Sequence, residues 1–189
     1  MTAARRPAWA LAALLALGAC GGAVTPPVML PPEATAGFTD PARQAIINTA
    51  YGFGHPAELG GRPADAAALI GQAEFLTVEL VTGQRWIGFA PRVAQGFDAA
   101  RQEWRQALGI APEAPPQAVV NALFAARGAL LAGDRRAAAA ALAPPTFPGG
   151  GEGAVQRLAA LPPLPLAARA AAEAESEIWR EALQVETDP

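Results

Sequence analysis

Residues 64–82 read ADAAALIGQAEFLTVELVT. Ala66, Leu69, Ile70, Ala73, Leu76, Leu80 and Val81 recur at intervals of three and four, the spacing that lines one face of an α-helix. Phe75 and Val78 fall off that stripe, so the helix is expected to pack on more than one side, as a helix at the centre of a bundle does. Gly83 stops it. Glu74 and Glu79 both lie within this apolar stretch. They read as its solvent face, or as the acid pair of a glycoside hydrolase if a second helix brings them to one cleft.

The same punctuation repeats outward. Downstream, "GQRWIGFAP" (83–91) reads as a loop or short extended piece. A helix over about 92–108 follows, seamed by Val93, Phe97, Ala100, Trp104 and Leu108 and closed by Gly109. Next is a helix over about 116–132, with Val119, Val120, Leu123, Phe124, Leu130 and Leu131 on its face. Gly133-Asp134 then supplies the end of one helix and the cap of the next, which makes a helical hairpin. "ALLAGDRRAAAAAL" resembles half of a tetratricopeptide-type repeat, but it has no second copy near a period of about 34 residues. Upstream, Thr39 or Asp40 caps a helix that begins at Pro41 and is ended by Gly52 and Gly54. After "APPTFPGGGEG" (143–153) come a short helix near 154–160 and an alanine-rich one over about 166–185. No segment alternates with a period of two. The fold class is all-α: an irregular helical bundle of about five to seven helices behind a disordered N-terminal tether. Residues 38–142 form the main bundle, 143–153 a Pro/Gly linker, and 154–189 helices that pack back on the bundle.

The first 37 residues are different. Arg5 and Arg6 precede an uncharged Leu/Ala run from Ala8 to Gly18, the layout of a secretory signal, and the run is shorter than the ~20 residues a spanning helix needs. Leu17-Gly18-Ala19-Cys20 resembles the lipobox of bacterial lipoproteins. That resemblance covers residues 1–22 and implies removal of residues 1–19, acylation of Cys20 and a lipid anchor facing the periplasm. Gly21, in place of the aspartate that retains such proteins at the inner membrane, favours the outer membrane. Residues 20–37, with two Pro-Pro pairs, read as an extended tether of ~3 Å per residue that holds the folded part tens of ångströms from the membrane.

Composition narrows the chemistry. The 189 residues carry 14 basic and 17 acidic side chains, one His, one Cys and one Tyr, for a net charge of −3. Every basic residue is Arg. A mildly acidic chain without a basic run does not suit nucleic acid. With Cys20 acylated there is no thiol for a disulfide or a nucleophile, and without Lys there is no Schiff base. A lone His55 cannot build a zinc set, and "GGGEG" lacks the lysine and context of a phosphate loop. The single serine, Ser176, and His55 lie far apart in sequence. No metal, cofactor or catalytic activity is expected.

Candidate binding residues remain. His55 sits between glycine turns in "YGFGHPAELGG". Tyr51, Phe53, Trp86 and Phe89 lie at helix ends or in loops, where aromatics close a bundle's end or line a groove. Arg127 falls on an apolar face, and a buried charge needs a partner, with Glu74, Glu79 and Asp98 as candidates, or else a ligand. The expectation is a non-catalytic binding or scaffold protein of the cell envelope contacting the membrane through Cys20 and another envelope protein. Its alternatives are a holder of an apolar small molecule or lipid, and a carboxylate-dependent glycan hydrolase.

Overall fold

A computed structural model describes residues 26–37 and 39–187, with side chains to residue 184 in the last helix. The expected signal segment and Cys20 lie outside the described residues. Among these, eight α-helices follow in order: α1 (Pro32–Thr35), α2 (Pro41–Gly54), α3 (Pro63–Thr82), α4 (Pro91–Leu108), α5 (Pro116–Leu131), α6 (Arg135–Ala141), α7 (Gly151–Ala159) and α8 (Pro165–Thr187). Single 3₁₀ turns occupy Pro56–Leu59 and Gln84–Trp86. The all-α reading holds, and the helix beyond the expected number is the single turn α1.

Helix α3 is the axis. It is buried along almost its whole length from Ala66 to Leu80, and α2, α4, α5 and α7 pack around it while α8 lies across α2 and α4. Small residues set how closely these helices approach. Ala45, Ala66, Ala67, Ala73, Ala100, Ala126, Ala167, Ala171 and Ala174 are wholly enclosed. A Cβ on Gly71 would stand 2.7 Å from Phe124 Cε2, so α3 and α5 touch there through backbone and ring. Gly52 does not break α2 as expected; its missing Cβ is where Leu69 of α3 packs, 2.5 Å from the position a methyl would take. Between the small residues sit Ile46, Ile70, Leu76, Phe97, Trp104, Leu108 and Leu123, each fully buried and each contributing about 1.5–3 kcal/mol of burial.

The caps form as read. Asp40 accepts from the Arg43 N–H at 3.0 Å and Asp134 from the Ala137 N–H at 2.8 Å. Gly109 and Gly133 take left-handed φ values of 68° and 75°, as a helix-ending glycine does. Two stretches depart from expectation. Residues 143–153 are not a free linker: Phe147 inserts wholly into the core, and the Ala111 N–H donates to the Thr146 carbonyl at 2.9 Å. Nor is all of 20–37 a tether. Val28 is buried, and Gln117 of α5 grips Met29 twice, accepting from its N–H at 2.7 Å and donating to its carbonyl at 3.0 Å. Residues 26–35 are therefore a strap fixed to the body.

Two ion clusters tie the outer helices together. Asp40 is bonded to Arg85, which also lies over the Trp86 ring at 4.4 Å. Glu177 of α8 pairs with Arg92 of α4 at 2.9 Å and with Arg180. Burial pushes the Asp40 carboxyl upward, but its bonds to Arg85 and the Arg43 N–H and the charges of both arginines outweigh it, so the group sits below its ordinary range. The Arg180 hydrogen bond, against the upward push of burial and aided by Arg92, does the same for Glu177. A depressed carboxylate contributes stability above its unfolded pKa and loses it as pH falls through the folded one. Urea midpoints should therefore drop on acidification below about pH 4. The drop should be smaller in Asp40→Asn and Glu177→Gln, which start less stable at neutral pH; an unchanged acid dependence in both would remove these groups from the account.

Candidate functional site

Helices α2, α3 and α5 do not close completely. Between them lies a cleft of about 510 Å³, whose apolar lining includes Ile47, Leu59, Ala68, Leu69 and Phe124, with Ala34 of the strap. That volume lies within the range of small-molecule sites, which combine an apolar wall with a few converging polar groups. Here the polar groups are Asn48, Tyr51, His55, Gln72 and Arg127, with Glu33, Glu58, Arg62 and Asp65.

The last turn of α2 positions two of them. Tyr51 and His55 are one helical turn apart, and their rings stack with centroids 4.3 Å apart at 25°. His55 Nδ1 lies 2.8 Å from the Tyr51 carbonyl oxygen. A carbonyl only accepts, so Nδ1 carries the proton and neutral His55 keeps Nε2 as an acceptor. The Tyr51 hydroxyl donates to the Glu58 carboxylate at 3.0–3.1 Å, and that bond together with the Glu58 charge raises the phenol above its usual range. Arg62 and Asp65 pair with each other at 2.7 Å.

Arg127 is different. Its Nε is fully enclosed and has no hydrogen-bond partner, the one such side-chain nitrogen or oxygen among the described residues. The carboxylates expected to pair with it are committed elsewhere or lie elsewhere. Glu79 accepts from Trp86 Nε1 at 3.0 Å. Asp98 borders a separate groove of about 360 Å³ with Arg101, Gln102 and Arg105. Glu74, far from being a solvent face, has no exposed surface. It accepts from Arg101 Nε at 2.9 Å, from Trp104 Nε1 at 3.0 Å and from Arg105. Arg105 in turn spends every donor: Nε and one Nη on Glu74, the rest on the carbonyls of Ala111, Pro112 and Ala114 at 2.7–3.1 Å. This cluster pins α4 and the 109–115 loop to α3.

Of the six binding candidates, the fold brings Tyr51, His55 and Arg127 to one cleft. Phe53, Trp86 and Phe89 are core residues: Phe53 stacks toward Trp104 at 6.4 Å, and Trp86 meets Phe89 edge-on at 4.8 Å. Gln72, Asn48 and the strap residues Glu33 and Ala34 join the site without a local sequence signal, because their place in it depends on which helices become neighbours. No group of three or more His, Cys, Asp or Glu among the described residues is arranged to hold a metal ion. No family model, curated protein or solved structure matches the chain, so the cleft's own residues carry its interpretation.

Proposed function

We propose that this chain is a lipid-anchored, periplasm-facing lipoprotein that holds a small, mostly apolar molecule in the α2–α3–α5 cleft and performs no chemistry on it. The observation that carries the reading is the cleft itself: an apolar wall with Arg127, whose enclosed Nε has no protein partner, as its least satisfied polar group. An open, ligand-sized space between helices favours holding a molecule over serving only as a scaffold. The hydrolase alternative draws no comparable support, since Glu74 is wholly enclosed and its oxygens are occupied by arginine and indole donors.

The anchor supports a place beside the membrane. No described helix is long and apolar enough to cross a bilayer, and the lipobox-like segment ending at Cys20 supplies a different attachment. With Val28 already fixed to the body, the residues from Cys20 to Val28 can reach at most about 30 Å at full extension. That keeps the cleft, one side of which is the strap, near the lipid headgroups.

Two measurements test this. Cys20→Ala should move the protein from the membrane to the soluble fraction; continued membrane association would remove the anchor. Ala68→Trp should fill the cleft without disturbing the enclosed core. Mass spectrometry of organic extracts of the purified protein should then show a near-stoichiometric small molecule in the wild type and not in the variant. Identical extracts, with a protein recovered in fixed ratio to both, would overturn the holder reading in favour of a scaffold.

A further inference from the structure

We infer that the molecule held in the cleft is a monocarboxylic acid with an apolar body, and that Arg127 binds its carboxylate; the inference rests on the cleft being a ligand site. A guanidinium has five donors and no acceptor, and leaving one enclosed and unbonded is costly enough that folded proteins rarely do it. In this chain the arginines that are drawn inward find acceptors. Arg105 satisfies all five donors, and Arg157 Nε donates to the Leu108 carbonyl at 2.8 Å. Among the described residues Arg127 alone has an enclosed Nε without one, and it lines the cleft beside Leu69 and Phe124.

The neighbouring charges limit what the acceptor can be. Arg62 is already paired with Asp65, and Glu58 is held by Tyr51. Glu33 adds a further negative charge to the lining. One carboxylate neutralises Arg127 through charge-assisted hydrogen bonds, whereas a second negative charge on the ligand would face acidic groups with no free cation to offset it. A phosphate dianion is therefore disfavoured and a single carboxylate is favoured. Ile47, Leu69 and Phe124 supply the surface for the apolar part.

The test uses the full acylated protein in nanodiscs of uncharged phosphatidylcholine, dialysed to equilibrium against radiolabelled octanoate or octanol, with empty nanodiscs subtracting the membrane's own uptake. Octanoate should bind at one per chain and at least about ten-fold more tightly than octanol, the worth of one hydrogen bond to a charged group. Arg127→Met should abolish that preference while leaving octanol binding in place, and Arg127→Lys should restore part of it. Arg127→Met should fold at least as stably as the wild type, because it removes an unsatisfied group instead of breaking a pair, so lost binding cannot be attributed to unfolding. Equal affinity for octanol and octanoate would overturn the carboxylate assignment and leave the holder reading intact. Binding of neither would end both. A preference that survives Arg127→Met, or octanoate displaced by inorganic phosphate, would also overturn the assignment.

Discussion

Glu74→Ala should lower the unfolding free energy by about 3–5 kcal/mol, the cost of removing one partner from a buried ion pair. For a domain whose whole stability is of order 5–15 kcal/mol, that is a large fraction. The size comes from what is left behind. Arg105 is almost fully buried, and loss of Glu74 strips the acceptor from its Nε and from one of its Nη donors while three backbone carbonyls keep the guanidinium in place. The Trp104 indole N–H loses its acceptor as well, and Arg101 loses its ion pair. Urea unfolding followed by far-UV circular dichroism measures the effect. Glu152→Ala is the comparison: its pair with Arg135 at 3.3 Å lies on the surface, both side chains more than half exposed, and such a pair contributes under about 1 kcal/mol. Combining Glu74→Ala with Arg105→Met should cost clearly less than the two single changes together, since the double variant no longer strands the enclosed Arg105 and leaves only Arg101, about a quarter exposed (24%), without its carboxylate. A Glu74→Ala cost no greater than that of Glu152→Ala would show that the cluster does not hold α3 to α4.

That cluster also marks where sequence reasoning stops. The apolar periodicity of 64–82, 92–108 and 116–132 reappears as α3, α4 and α5, because a helix face is a local property that needs only its own residues. Asp40, Asp134, Gly109 and Gly133 are legible for the same reason: each acts within one turn of itself. Glu74 is not local. Its partners stand 27 to 31 positions away, and a carboxylate on an apolar helix gives the same sequence signal whether it faces water or two arginines. The hint available was Arg101, Trp104 and Arg105, spaced so that all three share a face of α4. The strap was hidden likewise. Proline pairs give no periodicity, and what fixes Met29 is a glutamine 88 residues on. For the cleft, the aromatic, histidine and arginine signals marked Tyr51, His55 and Arg127, while the core took Phe53, Trp86 and Phe89 because aromatic character alone does not distinguish a wall from an interior.

Glycine to alanine should have opposite signs at two positions in this bundle, and the difference follows from what the added methyl would meet. At Gly151, the first residue of α7, an ideal Cβ would lie 1.7 Å from the carbonyl oxygen of Ala139 and 2.5 Å from its carbonyl carbon. Those are backbone atoms of α6, so no rotamer change relieves the contact, and the two helices must move apart. Ala138, Leu142, Phe147, Ala154, Val155 and Leu158 are all fully enclosed around this crossing, and separation would loosen each of them. Gly151→Ala should therefore cost about 3 kcal/mol, at the upper end of overpacking penalties. At Gly128, in the last turn of α5, nothing lies within 4 Å of the Cβ position. There the methyl only restricts the unfolded chain and improves helix propensity, and Gly128→Ala should stabilise by about 0.4–1 kcal/mol. Urea midpoints of the two variants should move to opposite sides of the wild type. If Gly151→Ala left the midpoint in place, α7 could not cross α6 as closely as this fold requires, and the enclosure of Phe147 would have to be reconsidered with it.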